Sequence, residues 1–329
     1  MKTRKLHDIE VSEVGMGCMG FSHGYGAVPE ESYSIEAIRK AHDYGCNFFD
    51  TSEVYGVQQF EFGHNERLVG KALEPFRKDI VLATKLFIFK EDLERDGSLC
   101  NAVRRHLEES MQRLRTDYID LYYLHRVNKD IPVEDVAEAM GRLIQEGLIR
   151  GWGMSMVNTE LIGRVQDITP LSAVQNIYSM VHRDYEKKVI PYCQSHDIGF
   201  VAFSPMASGF LSGKVTTETE FGFDDVRTWV PQMKKENLIA NQPVLDLISG
   251  YAENKKVTKA QIALAWMLKK WPHVVPIPGS RNQERILENL GAWDVELTDG
   301  EFKTLDDALS KIQIHGSRKD VGFDTEYID

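Results

Sequence analysis

Four titratable side chains stand at or just beyond the ends of three short apolar segments. Asp50 ends the first segment, Tyr55 follows shortly after it, Lys85 ends the second and His125 ends the third. One charged residue at such a place is usually part of a solvated rim, but charged groups are costly to bury unless they are paired. Their recurrence at three successive segments favours one active site whose acids and bases exchange protons.

These residues need a scaffold that brings the ends of successive strands together. Short apolar runs alternate with amphipathic stretches of helix length, and such near-continuous runs are typical of strands buried on both faces. The predicted strands are Val14–Met19, Asn47–Asp50, Ile80–Lys85, Tyr118–His125, Ile149–Met154, Ala173–Ile177, Gly199–Phe203 and Val274–Ile277. The predicted helices are Glu30–Tyr44, Ser98–Leu114, Val133–Glu146, Thr159–Asp167, Tyr185–His196 and Thr258–Lys270, with Ser98 and Thr258 as N-caps.

Eight strands joined by helical crossovers favour an α/β fold of the (β/α)₈ TIM-barrel type, whose active site lies at the C-terminal strand ends. An open, doubly wound sheet is the alternative, which a count of eight strands does not exclude. Before the first barrel strand, Arg4–Leu6 and Glu10–Val14 predict a β-hairpin that caps the N-terminal mouth.

Long loops are expected at the C-terminal face. The region after the seventh strand predicts a lid at Thr216–Trp229 and an extra helix at Pro231–Glu253, and the polar tail after Leu309 is expected to be mobile. Because the sequence contains no repeat, linker or low-complexity tract, we expect residues 1–329 to form a single domain.

Composition excludes several classes of protein. A net charge of −11 argues against binding to nucleic acid, and no apolar run approaches the length of a membrane-spanning helix. The segment Met1–Glu10 lacks the apolar core of a signal peptide. The cysteines, Cys18, Cys46, Cys100 and Cys193, are scattered, which predicts neither a disulfide framework nor a zinc site. We therefore expect a cytoplasmic protein in a reducing compartment, without membrane or nucleic-acid partners; the sequence leaves the oligomeric state open.

One motif, taken alone, would predict a different fold. Gly15 to Gly20 spells GxGxxG, the fingerprint of a dinucleotide-binding open sheet. That fingerprint requires a helix to begin at the third glycine, and the following residues 21–29, FSHGYGAVP, do not predict one. We instead expect these small residues to permit a close approach of the backbone.

Several ordered motifs resemble the aldo-keto reductase family over nearly the whole chain. They are GCNFFDTSEVYG at 45–56, ATK at 83–85, DLYYLHR at 120–126, EGLIRGWGMS at 146–155, VQN at 174–176, SP at 204–205 and IPGSRNQERILEN at 277–289. The resemblance implies hydride transfer from NADPH to the carbonyl carbon of a small aldehyde or ketone, with a proton delivered to its oxygen.

The family pattern assigns roles to the four titratable residues. Tyr55 would be the proton donor, with its phenol, whose pKa is near 10, made more acidic by the ammonium of Lys85. Asp50 would pair with Lys85, and His125 would orient the carbonyl oxygen by a hydrogen bond.

The resemblance also implies a cofactor site. Ser155 and Gln175 match residues that hold the nicotinamide carboxamide, although Met156 replaces the usual Asn or Glu, and Phe203 matches a stacking aromatic residue. The residues expected beside the nicotinamide are Gly17, Cys18, Met19 and Asp50, and those expected along the pyrophosphate are Ser204, Met206, Ser208 and Lys214. Ser280, Arg281 and Arg285 match the site of the 2′-phosphate, which favours NADP(H) over NAD(H), and Glu288 and Asn289 match adenine contacts.

The predicted substrate pocket consists of Met19, Phe21, Tyr55, Phe87, His125, Arg126 and Trp229. Two other functions remain open at this point. One is a nicotinamide-binding regulatory or scaffolding subunit of the same fold, which would not oxidise NADPH in the presence of aldehydes. The other is a barrel hydrolase or isomerase, which would need a metal cluster or a carboxylate pair; the sequence predicts no metal site.

Overall fold

The computed structural model describes residues 2–318 of the chain, and most of the predicted polar tail, residues 319–329, lies outside them. The strands are β1 (Thr3–Leu6), β2 (Ile9–Ser12), β3 (Met16–Gly17), β4 (Phe48–Asp50), β5 (Val81–Leu86), β6 (Ile119–Leu124), β7 (Ile149–Ser155), β8 (Ala173–Ile177), β9 (Gly199–Phe203) and β10 (Val274–Pro276). Strands β3 to β10 are neighbours in chain order, and each neighbouring pair is parallel.

The last strand meets the first, so the sheet closes into a barrel. The amide of Gly15 donates to the carbonyl of Pro276 at 2.9 Å, and the amide of Gly17 donates to the carbonyl of Pro278 at 3.4 Å. This closure excludes the open sheet and confirms the (β/α)₈ prediction. It also gives the GxGxxG glycines a structural role, because a Cβ on Gly17 would lie 3.0 Å from the carbonyl oxygen of Ile277.

Gly17→Ala is expected to lower the free energy of unfolding by about 1–3 kcal/mol, because the added methyl group meets rigid backbone at the closure. Urea unfolding measures the change. Gly250→Ala is the matched control, since nothing lies within 4 Å of its built Cβ on a helix, and there alanine should be neutral or stabilising. An equal loss in both variants would contradict the role of Gly17 in closure.

The N-terminal hairpin covers the barrel end opposite the active-site face, as predicted. Its side chains Leu6, Ile9 and Val11 are buried against barrel residues such as Val81 and Leu121. The backbone of Gly199 passes so close to Leu6 that a Cβ there would clash, which ties the hairpin to β9. The hairpin therefore seals the N-terminal mouth of the barrel.

Twelve α-helices occur in the described residues, and the main ones surround the barrel. They are α1 (Glu31–Asp43), α2 (His64–Leu73), α3 (Lys90–Asp96), α4 (Leu99–Leu114), α5 (Val133–Gln145), α6 (Thr159–Gln166), α7 (Val189–Ser195), α8 (Lys235–Ala240), α9 (Gln242–Lys255), α10 (Lys259–Lys270), α11 (Gln283–Leu290) and α12 (Asp299–Leu309). Ser98 and Thr258 cap α4 and α10 as predicted. No helix within residues 2–318 combines the length and the apolar character that crossing a membrane requires.

Some predicted elements were wrong in extent. The single helix predicted at Pro231–Glu253 is a 3₁₀ turn followed by α8 and α9, because Pro243, which lacks an amide hydrogen, starts a new helix after Asn241. The first barrel strand is limited to Met16–Gly17, where it pairs with Phe49 and Asp50 of β4. The predicted lid is mostly irregular, with one 3₁₀ turn at Val226–Thr228.

Candidate active site

The ends of β4 and β5 place an acid and a base beside each other. Asp50 is the last residue of β4, Lys85 lies near the end of β5, and both are buried. The Lys85 ammonium donates to the Asp50 carboxylate, to the carbonyl of Thr51 at 2.7 Å and to the Tyr55 hydroxyl at 3.3 Å. These three acceptors match the three donors of an ammonium group and compensate its loss of water.

Protonation in this cluster differs in one respect from the sequence prediction. Burial raises the pKa of Tyr55, and the opposing effect of Lys85 reduces that rise without reversing it. Burial also opposes the charge on Lys85, but Asp50 and Tyr55 outweigh it and raise the pKa of the ammonium above its ordinary value. The cluster therefore holds a protonated phenol against a charged ammonium, rather than a phenol of lowered pKa.

His125 borders the same site from the end of β6. Its Nδ1 lies 3.0 Å from the Ser52 hydroxyl, and its ring meets that of Tyr55 edge-on, with 5.7 Å between centroids. Burial, together with the charges of Arg126 and Lys85, holds the pKa of His125 well below its ordinary value. The imidazole is therefore neutral, and Nε2 is the nitrogen left for a substrate.

A cavity of about 460 Å³ opens above these residues. The predicted residues that line it are Gly17, Met19, Asp50, Tyr55, His125, Arg126, Ser155, Gln175, Phe203, Ser204 and Trp229. At its floor, the side-chain amide of Gln175 donates to Asp50 at 2.9 Å, and the guanidinium of Arg126 donates to the Ser155 hydroxyl at 3.1 Å. The ring of Phe203, the amide of Gln175 and the hydroxyl of Ser155 thus line the same cavity.

A second cavity, of about 210 Å³, continues the first, since Gly20, Tyr25, Ser204 and Gly279 line both. The predicted residues that line it are Ser204, Met206, Ser208, Lys214, Ser280, Arg281, Arg285, Glu288 and Asn289. Ser204 and Ser208 have positive φ angles of 52° and 55°, and such strained backbone often occurs at ligand sites. A cleft that leads from polar and aromatic groups to a cluster of cations fits a phosphorylated dinucleotide.

The cleft is covered by two loops that pair with each other. Tyr25 forms an antiparallel bridge with Asp225, and the amide of Gly26 donates to the carbonyl of Asp224 at 3.0 Å. The guanidinium of Arg281 donates to the carbonyls of Tyr25, at 2.5 Å, and of Ala27. Arg281, which was predicted to receive a phosphate, lines the smaller cavity and also holds this loop, so its contact with a phosphate stays a prediction.

Other predicted residues lie outside the two cavities. Cys18 and Phe21 are buried in the hydrophobic core, whereas Met19 and Gly20 between them line the cavity. Phe87 does not line the cavity, but its ring packs on His125 with 4.6 Å between centroids. Met156 is buried and accepts a 3.9 Å hydrogen bond from Tyr185 at its sulfur, so it fills the core where the family pattern has a polar contact.

Sequence reasoning missed several residues of the cleft. They are His23, Tyr25, Gln58, Asp224, Val226 and Arg227, which lie in loops or in the short 3₁₀ turn at Val226–Thr228. The ring of His23 lies 5.6 Å from that of Tyr55, and Arg227 pairs with Asp225 at 2.6 Å. No spacing in the chain marks them, since the loops at 22–27 and 224–228 are about 200 residues apart. The paired turn signals HGYG and FDD were the only available hint.

Comparison with known proteins decides the family. Residues 13–310 match the aldo/keto reductase family. The chain belongs to this family. It is 36% identical over 319 residues to a probable aldo-keto reductase of Glycine max, a match that covers 96% of this chain and 90% of the relative.

Solved structures agree with this assignment. A glycerol dehydrogenase from Gluconobacter oxydans superposes with a TM-score of 0.82 at 27% identity, over 94% of this chain and 95% of that one. An aldo/keto reductase from Klebsiella pneumoniae, solved with NADP and acetate, has a TM-score of 0.71 at 28% identity, over 93% and 95% of the two chains. Both the resemblance and the predicted class of enzyme, an oxidoreductase, are thus confirmed.

Proposed function

We propose that this aldo-keto reductase reduces a small aldehyde or ketone to the alcohol with NADPH, and that Tyr55 delivers the proton. The observation that carries the proposal is the Tyr55 hydroxyl, which faces the larger cavity 3.3 Å from the Lys85 ammonium and beside a neutral His125. When NADPH is bound, its nicotinamide supplies the hydride. The residues described above supply the proton and the position of the carbonyl group.

The electrostatics of the site suit a proton donor. Because the pKa of Tyr55 is raised at rest, the hydroxyl keeps its proton until a carbonyl oxygen gains negative charge. The phenolate that remains after transfer lies against the Lys85 ammonium, whose charge Asp50 keeps in place. With Nδ1 of the neutral His125 accepting from the Ser52 hydroxyl, Nε2 carries the proton and donates it in a hydrogen bond to the same oxygen, which fixes its approach to Tyr55.

We propose that the cleft binds NADP(H) with its nicotinamide at Ser155, Gln175 and Phe203. Its 2′-phosphate would lie at Ser280, Arg281 and Arg285, which line the smaller cavity. The complex of the Klebsiella pneumoniae relative with NADP supports this choice of cofactor. Arg281 also tethers the covering loop, through the carbonyl of Tyr25. The four free cysteines, three of them buried, support the expectation of a reducing, cytoplasmic setting.

The direct test is NADPH oxidation, followed at a range of aldehyde and ketone concentrations with the purified protein. Saturable oxidation that depends on the carbonyl compound supports the reductase. Tight NADPH binding without turnover of any aliphatic, aromatic or sugar carbonyl would contradict it and favour the regulatory subunit.

Arg285→Ala is expected to raise the KM for NADPH about 10- to 100-fold, the equivalent of about 1.5–3 kcal/mol for a charge-assisted contact, and to leave the KM for NADH unchanged. The exposed guanidinium can be removed without loss of the α11 cap, because Asn282 accepts from the backbone amide of residue 285 at 2.9 Å. Arg104→Ala, which breaks an exposed pair with Glu146, is the control. If the KM values for NADPH and NADH rose equally, Arg285 would not bind the 2′-phosphate.

A further inference from the structure

A buried carboxylate stands two residues before Tyr55 and joins three parts of the molecule. The side chain of Glu53 is completely buried in the loop after β4. Its Oε1 accepts the backbone amide of Phe87, in the loop after β5, at 2.7 Å. Its Oε2 lies 2.8 Å from Nδ1 of His106, on α4. One side chain therefore links the Tyr55 loop, the Phe87 loop and a helix outside the barrel.

His106 connects this carboxylate to a second acid. Its Nε2 lies 3.3 Å from a carboxylate oxygen of Asp92, which caps α3 by accepting the amide of Phe89 at 3.0 Å. Arg105 binds the same carboxylate at 2.9 Å. Burial disfavours the cation, but Glu53 and Asp92 outweigh it and raise the pKa of His106. The His106 ring thus lies between acids from two separate elements, and both of them favour its charged form.

The backbone around Glu53 restricts the same loop. The amide of Glu53 donates to the carbonyl of Lys85 at 3.3 Å, and its carbonyl accepts from Gly63 at 2.7 Å. On the other side of the carboxylate, the ring of Phe87 packs on His125. Movement of Glu53 would therefore shift Tyr55 through its own loop and His125 through Phe87.

A buried ion pair is by itself weak evidence for stability, because two well-packed apolar residues often do as well. The location of this pair suggests another use. We propose that the Glu53–His106 pair is a positioning device that sets the Tyr55 hydroxyl against the His125 imidazole. Neither residue lines the cavities, so both act through other residues. This inference rests on the proposed proton-transfer role of Tyr55.

The test compares His106→Ala with His106→Asn, whose amide reproduces the Nδ1 donor. His106→Ala is expected to lower kcat about 10- to 100-fold through a small displacement, with the KM for the carbonyl and the Kd for NADPH within about twofold of wild type. His106→Asn should restore most of kcat. Hydrogen–deuterium exchange should rise in residues 51–63 and 86–89 of the alanine variant.

His273→Ala is the matched control. This partly buried imidazole lies just before β10, at the opposite end of the barrel, and is 3.1 Å from the carbonyl of Ile190. This variant should have a lower free energy of unfolding, with kcat and hydrogen–deuterium exchange in the two loops unchanged. Glu53→Gln, which keeps an acceptor for Phe87 but presents an amide to His106, provides a second route if His106→Ala does not fold, and it should lower kcat in the same way.

Several outcomes would overturn the inference. They are an unchanged kcat in folded His106→Ala or Glu53→Gln, an equal loss in His273→Ala, and a failure of His106→Asn to restore kcat. Failure of the proposed function would look different, since Tyr55→Phe would then stay active. In that case the exchange measurement still decides whether the pair orders both loops.

Discussion

Replacement of Tyr55 by phenylalanine is expected to lower kcat by about 10²- to 10⁴-fold, the contribution of a positioned general acid. The variant retains the ring and loses only the hydroxyl, whose hydrogen bond comes from Lys85 at 3.3 Å. The Kd for NADPH should stay within about twofold, because the hydroxyl is expected to meet the carbonyl and not the cofactor. Initial rates of NADPH oxidation and fluorescence titration of the cofactor measure the two effects.

Tyr178→Phe is the matched control for this variant. Its hydroxyl is also buried, and it bonds Glu186 at 2.6 Å and Trp271 at 3.0 Å, outside the cavities described above. Tyr178→Phe should lower the free energy of unfolding and leave kcat unchanged. If Tyr55→Phe and Tyr178→Phe had the same kcat, the proton would have to come from another donor.

Lys85→Met should abolish measurable turnover and lower the free energy of unfolding by about 3–5 kcal/mol, as is usual when one partner of a buried ion pair is removed. Asp50 keeps its 2.9 Å hydrogen bond from Gln175 but loses its counter-charge in a buried site. The phenolate formed by Tyr55 would also lose the adjacent ammonium. Urea unfolding and NADPH oxidation give the two readouts on the same preparation.

The control is Lys270→Met, which removes a partly buried lysine paired with Asp306 at 2.8 Å, outside the two cavities. This variant should lose stability while kcat stays near the wild-type value. A Lys85→Met protein that kept both its stability and its activity would contradict the view that Asp50, Lys85 and Tyr55 act as one unit.

The strands could be predicted because each is a short apolar run that the barrel buries on both faces. Asp50, Lys85 and His125 could be found for the same reason, since each is a titratable residue at the end of such a run. The helices α2 and α11 are amphipathic but only ten and eight residues long, shorter than the window over which helical periodicity is recognised, and so they were not predicted. The sequence predicts close backbone packing at Gly17, but it does not show that the partner in barrel closure is the segment around Pro278.

Other parts of the site depend on contacts that sequence spacing does not encode. Cys18 stands next to Gly17 and Met19 in the chain, yet its side chain points into the core. Arg281 binds a loop more than 250 residues away. Glu53 meets His106 only because the barrel brings α4 behind the Tyr55 loop. In each case tertiary packing, rather than local pattern, decides which groups meet.

The order of the functional groups along the chain bears on how cofactor preference could evolve separately from the acid–base residues. Strands β4 to β6 carry Asp50, Lys85 and His125, whereas β7 to β9 and α11 carry the residues that border the cofactor cleft. Under the proposed function, the first half of the chain supplies the acid–base groups and the second half supplies most of the groups expected to bind the 2′-phosphate. Under that proposal, we expect substitutions in the second half to change the preference between NADPH and NADH without altering the groups that transfer the proton.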